Sequence, residues 1–200
     1  MSKIIRKNLL SKSVLKQVKR IADTKEHYMA STYGGVQKDY RYTKNWNQHL
    51  TDDLYNAIRR PFEKEFNKEH HLNQIDILGY GENMFFKLHQ DTEGRDIGSA
   101  GQGRSWSSST LVHQSDDLEG GDLIIYGPFN PIDATGHSRR VIKLKQGETV
   151  FFPSHWWHEV TPVTKGERLV IVTWLGSTPQ EANERNTLSN LAREGKLSVL

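Results

Sequence analysis

Two stretches near the start of the chain repeat apolar residues at helical spacing. Val14, Leu15, Val18 and Ile21 share one face of a helix that Ser11 or Ser13 caps and that runs to about Ala22. Leu54, Ile58, Phe62 and Phe66 do the same in "TDDLYNAIRRPFEKEFNKEH", which Thr51 and Asp52 start. Pro61 inside it predicts a kink or a fresh turn. Ahead of the first helix, "KIIRKNL" predicts a short strand. Residues 27–50, rich in Tyr, Gly, Asn and Gln, read as irregular or extended.

After His71 the period changes. "HLNQIDILGYG", "NMFFKLHQD", "SWSSSTLVHQS", "GGDLIIYG", "RRVIKLKQGETVFFP", "HEVTPVT" and "RLVIVTWLG" are short β-rich runs punctuated by Gly, Pro or Asp. Two helices followed by about eight short strands predict an α+β chain, mainly β: a double-stranded β-helix (jelly roll) with the N-terminal helices packed on one sheet. At 200 residues the chain suits a single domain over 1–200, with an N-terminal support (1–70), a jelly-roll core (71–177) and an exposed helical tail (178–200).

Composition narrows the partners. Hydrophobic residues make up 35% and charged residues 26%, as in a soluble globular chain. No apolar run approaches the roughly 18 residues that a membrane-spanning helix needs. The basic N-terminus has no continuous apolar core and no small-residue cleavage site, and reads as a strand and helix rather than a leader. There are no cysteines, which excludes disulfides, thiolate metal sites and a Cys nucleophile and suits a reducing cytoplasm. A net charge of +3 with dispersed Lys and Arg reads as a solvated basic face, so nucleic acid is not the expected partner.

Chemistry enters with "MFFKLHQDTEG". His89 and Asp91 are two residues apart at the end of a strand, so both side chains project to one face. Alone, the pair is either a local polar accident or two thirds of a metal site. "FFPSHWWHEVTPVT" offers the third ligand: a strand ends at Phe152, turns through Pro153 and Ser154, and His158 opens the next strand among aromatic residues. Two histidines and one carboxylate leave three coordination positions open, the facial triad of non-haem Fe(II) oxygenases. Zinc is the chemical competitor, but a zinc hydrolase wants a separate general base and no HExxH helix supplies one. Arg168 follows His158 by ten residues on an apolar strand. A guanidinium there either reaches a buried acid of the protein or grips a ligand carboxylate.

The motifs "HQD", "DLEGGDLII", "VIKLKQGETVFFPSHWWHEVTPVTKGER" and "GERLVIVTW" together resemble the 2-oxoglutarate/Fe(II)-dependent dioxygenases of the prolyl 4-hydroxylase-like family, in order and in spacing. The resemblance covers residues 75 to 176. It implies that His89, Asp91 and His158 hold Fe(II) and that Arg168 pairs with the distal carboxylate of 2-oxoglutarate. It also implies that Tyr80 contacts the cosubstrate or lines its pocket and that Trp174 forms a pocket wall. Some relatives carry a cosubstrate-binding tyrosine near the position of Val112, so that help is expected from Tyr80, Thr110 or elsewhere. The implied reaction consumes O2 and 2-oxoglutarate, releases succinate and CO2 and hydroxylates a C–H bond, with ascorbate as a supporting reductant. Halogenating relatives have a small residue in place of the carboxylate, so Asp91 points to hydroxylation.

The resemblance makes a prolyl residue of a peptide or protein the first substrate, ahead of a free amino acid or other small molecule. "YGGVQKDYRYTKNWN" and the glycine-rich loop at 92–104 are expected to line a substrate groove, the loop acting as a lid. That loop's "GSAGQG" lacks the strand-to-helix context of a phosphate cradle. Trp156 or Trp157 is expected at the substrate mouth. His155 reads as a turn residue, His113 as a strand histidine, and His27, His49, His70, His71 and His137 as surface residues. The rival from another class is a non-catalytic jelly-roll binding domain.

Overall fold

Ser11 begins the first helix: its hydroxyl accepts from the Val14 N–H at 3.3 Å, and α1 (Lys12–Thr24) buries Val14, Leu15, Val18 and Ile21. Thr51 caps α2 (Asp52–Glu65) in the same way through the Leu54 N–H, and Asp52 and Asp53 complement the helix dipole in the first turn. α2 runs through Pro61 without ending, so no new turn starts there. The proline forfeits one backbone bond, while Ile58 and Phe62 on either side are fully buried and hold the helix against the sheet.

The computed structural model describes residues 4–31, 35–66, 70–91, 104–127 and 139–176. The expected C-terminal tail, His137 and the glycine-rich loop at 92–103 lie outside them. The strands are β1 (Ile5–Asn8), β2 (Tyr28–Met29), β3 (Arg41–Tyr42), β4 (Lys44–Asn45), β5 (His71–Tyr80), β6 (Phe85–His89) and β7 (Trp106–Gln114). They continue with β8 (Glu119–Gly120), β9 (Leu123–Gly127), β10 (Arg140–Ile142), β11 (Glu148–Pro153), β12 (Trp157–Val160), β13 (Val163–Lys165) and β14 (Arg168–Gly176). The runs read from the sequence recur here. The segment read as irregular holds three two-residue strands and a 3-10 turn over Asn47–His49.

Every strand pairing is antiparallel. A seven-stranded sheet has the order β1-β11-β7-β14-β5-β4-β2, and a five-stranded sheet the order β10-β9-β12-β6-β3. The two sheets form the expected jelly-roll core, with both helices on the outer face of the larger one. Alternation along β14 divides the layers. Leu169, Ile171 and Leu175 join the helix-side core, while Arg168, Val170, Val172 and Trp174 line the cavity between the sheets. On β5, Ile75 and Ile77 face the helices, and Leu78 and Tyr80 face the cavity. No described helix is long and apolar enough to cross a membrane.

Candidate metal centre and its pocket

β6 and β12 are neighbours in the smaller sheet, and His158 stands directly opposite His89 in their register. Pairing therefore brings together two histidines 69 positions apart in sequence. The imidazole centroids lie 4.2 Å apart. Asp91 follows at the end of β6, where its N–H donates to the Ser154 carbonyl at 2.9 Å. Its two carboxylate oxygens lie 3.6 Å from His89 Nε2 and 3.4 Å from His158 Nε2. One ligand atom from each of the three residues falls within 4.8 Å of the others.

The other nitrogen of each ring is already committed. His89 Nδ1 lies 2.7 Å from the Lys87 carbonyl, and His158 Nδ1 lies 2.8 Å from the Trp156 carbonyl. A carbonyl only accepts, so both Nδ1 atoms carry the proton and both Nε2 lone pairs face Asp91. Phe86 stacks on His89 at 3.6 Å between centroids, and Phe152 packs edge-on against His158. Ser107 Oγ donates to Asp91 Oδ2 at 2.6 Å and lies 2.9 Å from Ser154 Oγ. With its one proton committed to the carboxylate, Ser107 accepts from Ser154.

Electrostatics favour a neutral imidazole beside an ionised carboxylate. Burial, reinforced by the neighbouring His158, pushes His89 down to about 3. Burial also disfavours a charge on Asp91, yet His158 and His89 outweigh it and hold the carboxyl below its ordinary range. At His158 burial is again opposed, and the Asp91 carboxylate leaves it raised. This donor set fits a divalent cation that accepts imidazole and carboxylate.

The same cavity holds most of the other expected residues. Arg168 is buried, and its Nη1 donates to the Gly121 carbonyl. Among the described residues no carboxylate lies within ion-pair distance of it, and its Nε has no partner. Burial lowers its proton affinity. Tyr80 is its cross-strand partner, with the guanidinium 6.0 Å from the ring centre. Burial raises the Tyr80 hydroxyl. Trp174 lines the pocket beneath Arg104, whose guanidinium stands 4.1 Å from the ring centre. Arg168 Nε, Trp174 Nε1 and Arg41 Nε, all on cavity-lining residues, are buried donors without a partner among the described residues. A ligand bearing acceptor oxygens would satisfy them.

Thr110 is a correction. It faces the helix layer, not the cavity, and its hydroxyl bonds Thr149 at 2.7 Å. Val112 also belongs to the helix-side core. Trp156 turns away from the site into an apolar cluster with Ile125, Ile142 and Phe152, and Trp157 is half-buried and outside the cavity lining. His155 is exposed in the turn, as expected. His27 is exposed, and His49, His70, His71 and His113 are half-buried.

Arg41 lies in the segment expected to line a groove and does line the cavity, whereas Phe86 in the lining and Ser107, Ser154 and Gly121 behind it escaped sequence reasoning. Gly121, in "EGGD", adopts φ +62°, and a Cβ there would meet Val163 Cγ2 at 2.8 Å and Arg168 Cδ at 3.3 Å. The doubled glycine therefore leaves room for the arginine it also bonds. Arg41, Thr43 and Asn45 are buried while Tyr42 and Lys44 are half-buried. That alternation of burial is the trace of β3 and β4 in a stretch whose polarity conceals it.

The sequence model of the 2OG-Fe(II) oxygenase superfamily matches residues 75–176, a span that includes the triad and Arg168. A PKHD-type hydroxylase of Alteromonas mediterranea is 35% identical over 85 residues, which cover 42% of this chain and 34% of that protein. A PKHD-type hydroxylase of Acinetobacter baylyi is 27% identical over 194 residues, covering 92% of this chain and 82% of the relative. The chain thus spans about a third of the length of the first relative and most of the second. The crystal structure of a Pseudomonas putida prolyl-4-hydroxylase shares the fold, with a TM-score of 0.59 at 18% identity over 88% of this chain and 94% of that one.

Proposed function

Because the chain belongs to the 2OG-Fe(II) oxygenase superfamily, with Fe(II), 2-oxoglutarate and O2 as its cofactor set, we propose that it hydroxylates a prolyl residue of a peptide or protein at the His89–Asp91–His158 site. One observation carries this reading. Both imidazoles are tethered through Nδ1 to backbone carbonyls, so their Nε2 lone pairs converge with the Asp91 carboxylate on one point. Bound there, Fe(II) and 2-oxoglutarate supply the O2 activation and C–H oxidation, with succinate and CO2 as co-products.

The protein's own contribution is placement. His89, Asp91 and His158 would hold the metal through two imidazoles and one carboxylate, a donor set that leaves positions for further ligands. Arg168 receives the distal carboxylate of 2-oxoglutarate, with Tyr80 beside it. The orphaned Arg168 Nε supports that role, because the pocket walls are apolar and a guanidinium there needs an anion. Val170, Val172 and Trp174 keep water from the reacting centre. The prolyl substrate follows the likeness to relatives named as hydroxylases and to a prolyl-4-hydroxylase structure. A cysteine-free chain suits a reducing compartment, and the cytoplasm is the compartment we assign.

The test is spectroscopic. Wild-type protein mixed without oxygen with Fe(II) and 2-oxoglutarate should develop a visible metal-to-ligand charge-transfer band, and H158A should lose it. A folded, metal-bound wild type with no band refutes the oxygenase reading.

A further inference from the structure

Two guanidiniums line the cavity, those of Arg41 and Arg168, and the cosubstrate proposed above takes only Arg168. Leu78, Phe86, Leu123, Val160, Val170 and Val172 line the same space, and a guanidinium with an unpartnered donor against such walls is costly.

Arg41 is the guanidinium left to another ligand. Its side chain is 10% exposed, it lines the cavity, and its Nε has no partner among the described residues. Nη1 donates to the Ser31 carbonyl at 3.0 Å. Its one acidic partner among the described residues is Asp76, at 3.5 Å. Asp76 is better engaged elsewhere: Asn47 Nδ2 lies 2.6 Å and Gln74 Nε2 2.8 Å from its Oδ1. The guanidinium stands 4.8 Å from the centre of the Phe86 ring, and Phe86 in turn stacks on His89. Arg41 is thus one aromatic ring removed from a metal ligand, in the space left to the substrate once Arg168 is taken by the cosubstrate.

We propose that the substrate of this pocket bears a carboxylate and that Arg41 receives it. The inference rests on the oxygenase reading and sharpens it: the oxidised residue is a free amino acid bound by its own carboxylate, or a peptide residue beside an acidic side chain. A guanidinium discriminates a carboxylate from the isosteric amide by charge and by paired N–H donors.

The experiment uses oxygen-free Fe(II)–2-oxoglutarate protein and reads the perturbation of its charge-transfer band. N-acetyl-L-proline is titrated against N-acetyl-L-prolinamide, and acetyl-Pro-Asp-Gly-amide against acetyl-Pro-Asn-Gly-amide. In at least one pair the wild type should half-saturate at about tenfold lower concentration with the carboxylate. The pair that discriminates identifies the source, free amino acid or acidic peptide. R41M should reduce that preference to within about twofold, and R41K should keep part of it. The band itself, formed in each variant before titration, reports that the fold and the cosubstrate site are intact. Equal binding of carboxylate and amide in the wild type, binding of neither, or a preference that survives R41M overturns the proposal. A wild type that forms no band refutes the oxygenase reading itself, and this inference falls with it.

Discussion

Ser107 is the sharpest single test of how the metal centre is held. Its hydroxyl donates to Asp91 Oδ2 at 2.6 Å, a length typical of a bond to an ionised carboxylate. Ser107 is fully buried, and the Asp91 side chain is 7% exposed. Water therefore does not take over the bond when the hydroxyl is deleted. A hydrogen bond to a charged group contributes about 1.5–3 kcal/mol, and losing it frees the carboxylate to rotate away from the two Nε2 atoms. S107A should bind a divalent metal roughly 10- to 100-fold more weakly. S154A removes only the more distant hydroxyl and leaves the Ser107–Asp91 bond, so its loss should stay below about threefold. The S107A/S154A double variant should be no worse than S107A, because both hydroxyls act along one chain. Mn(II) titration followed by the electron paramagnetic resonance signal of free ion gives the affinity, and circular dichroism of the metal-free proteins checks the fold. The reasoning is refuted if folded S107A binds Mn(II) as tightly as wild type, or if S154A is equally damaging, which would make the serines a packing unit.

Three more expectations follow from the same pocket. R168M should weaken 2-oxoglutarate by about 100-fold or more while leaving 2-oxobutyrate, which lacks the distal carboxylate, within about twofold, as read from the charge-transfer band. T110V should leave cosubstrate affinity unchanged and lower stability by about 1–3 kcal/mol in urea unfolding, because the buried Thr149 hydroxyl loses its partner. Metal affinity should fall with pH. Asp91 keeps the proton affinity of His158 raised, and metal binding must displace that proton. Below the raised value the affinity should therefore drop about tenfold per pH unit, and above it stay level, with His89 adding nothing until far more acid conditions. Mn(II) titrations across the neutral and mildly acid range check the slope.

What the sequence disclosed, and what it hid, has physical reasons. The helix faces were readable because Val14, Val18, Leu54 and Phe62 all answer to one periodicity. His89 and Asp91 were readable because i and i+2 on a strand share a side, and His158 and Arg168 because their spacing repeats a family's motif. Thr110 was expected to help bind the cosubstrate because relatives carry a tyrosine near Val112, and nothing in "SSSTLVHQ" announces the register shift opposite β14. Leu169 pairs with His113 and Val170 with Leu111, so Val112 is skipped and the in–out count changes there. Arg41 was legible only as part of a segment expected to line the groove, because its counter-ion Asp76 lies 35 positions away and is brought near only when the sheets close. Ser107 and Ser154 lay within hydroxyl-rich or turn sequence that has no meaning until Asp91 is folded between them.

His89 and His158 each lean on the carbonyl two residues before, Lys87 for one and Trp156 for the other. The grip is thus written into the local course of two paired strands and owes nothing to the ion. Such a site is a socket rather than a clasp. Stripping a bound metal should therefore leave the shape of the site unchanged, and refilling it should need no refolding. Discrimination between metals then rests on the kind of donor atoms presented, since a socket made in advance cannot remodel itself around whichever cation arrives.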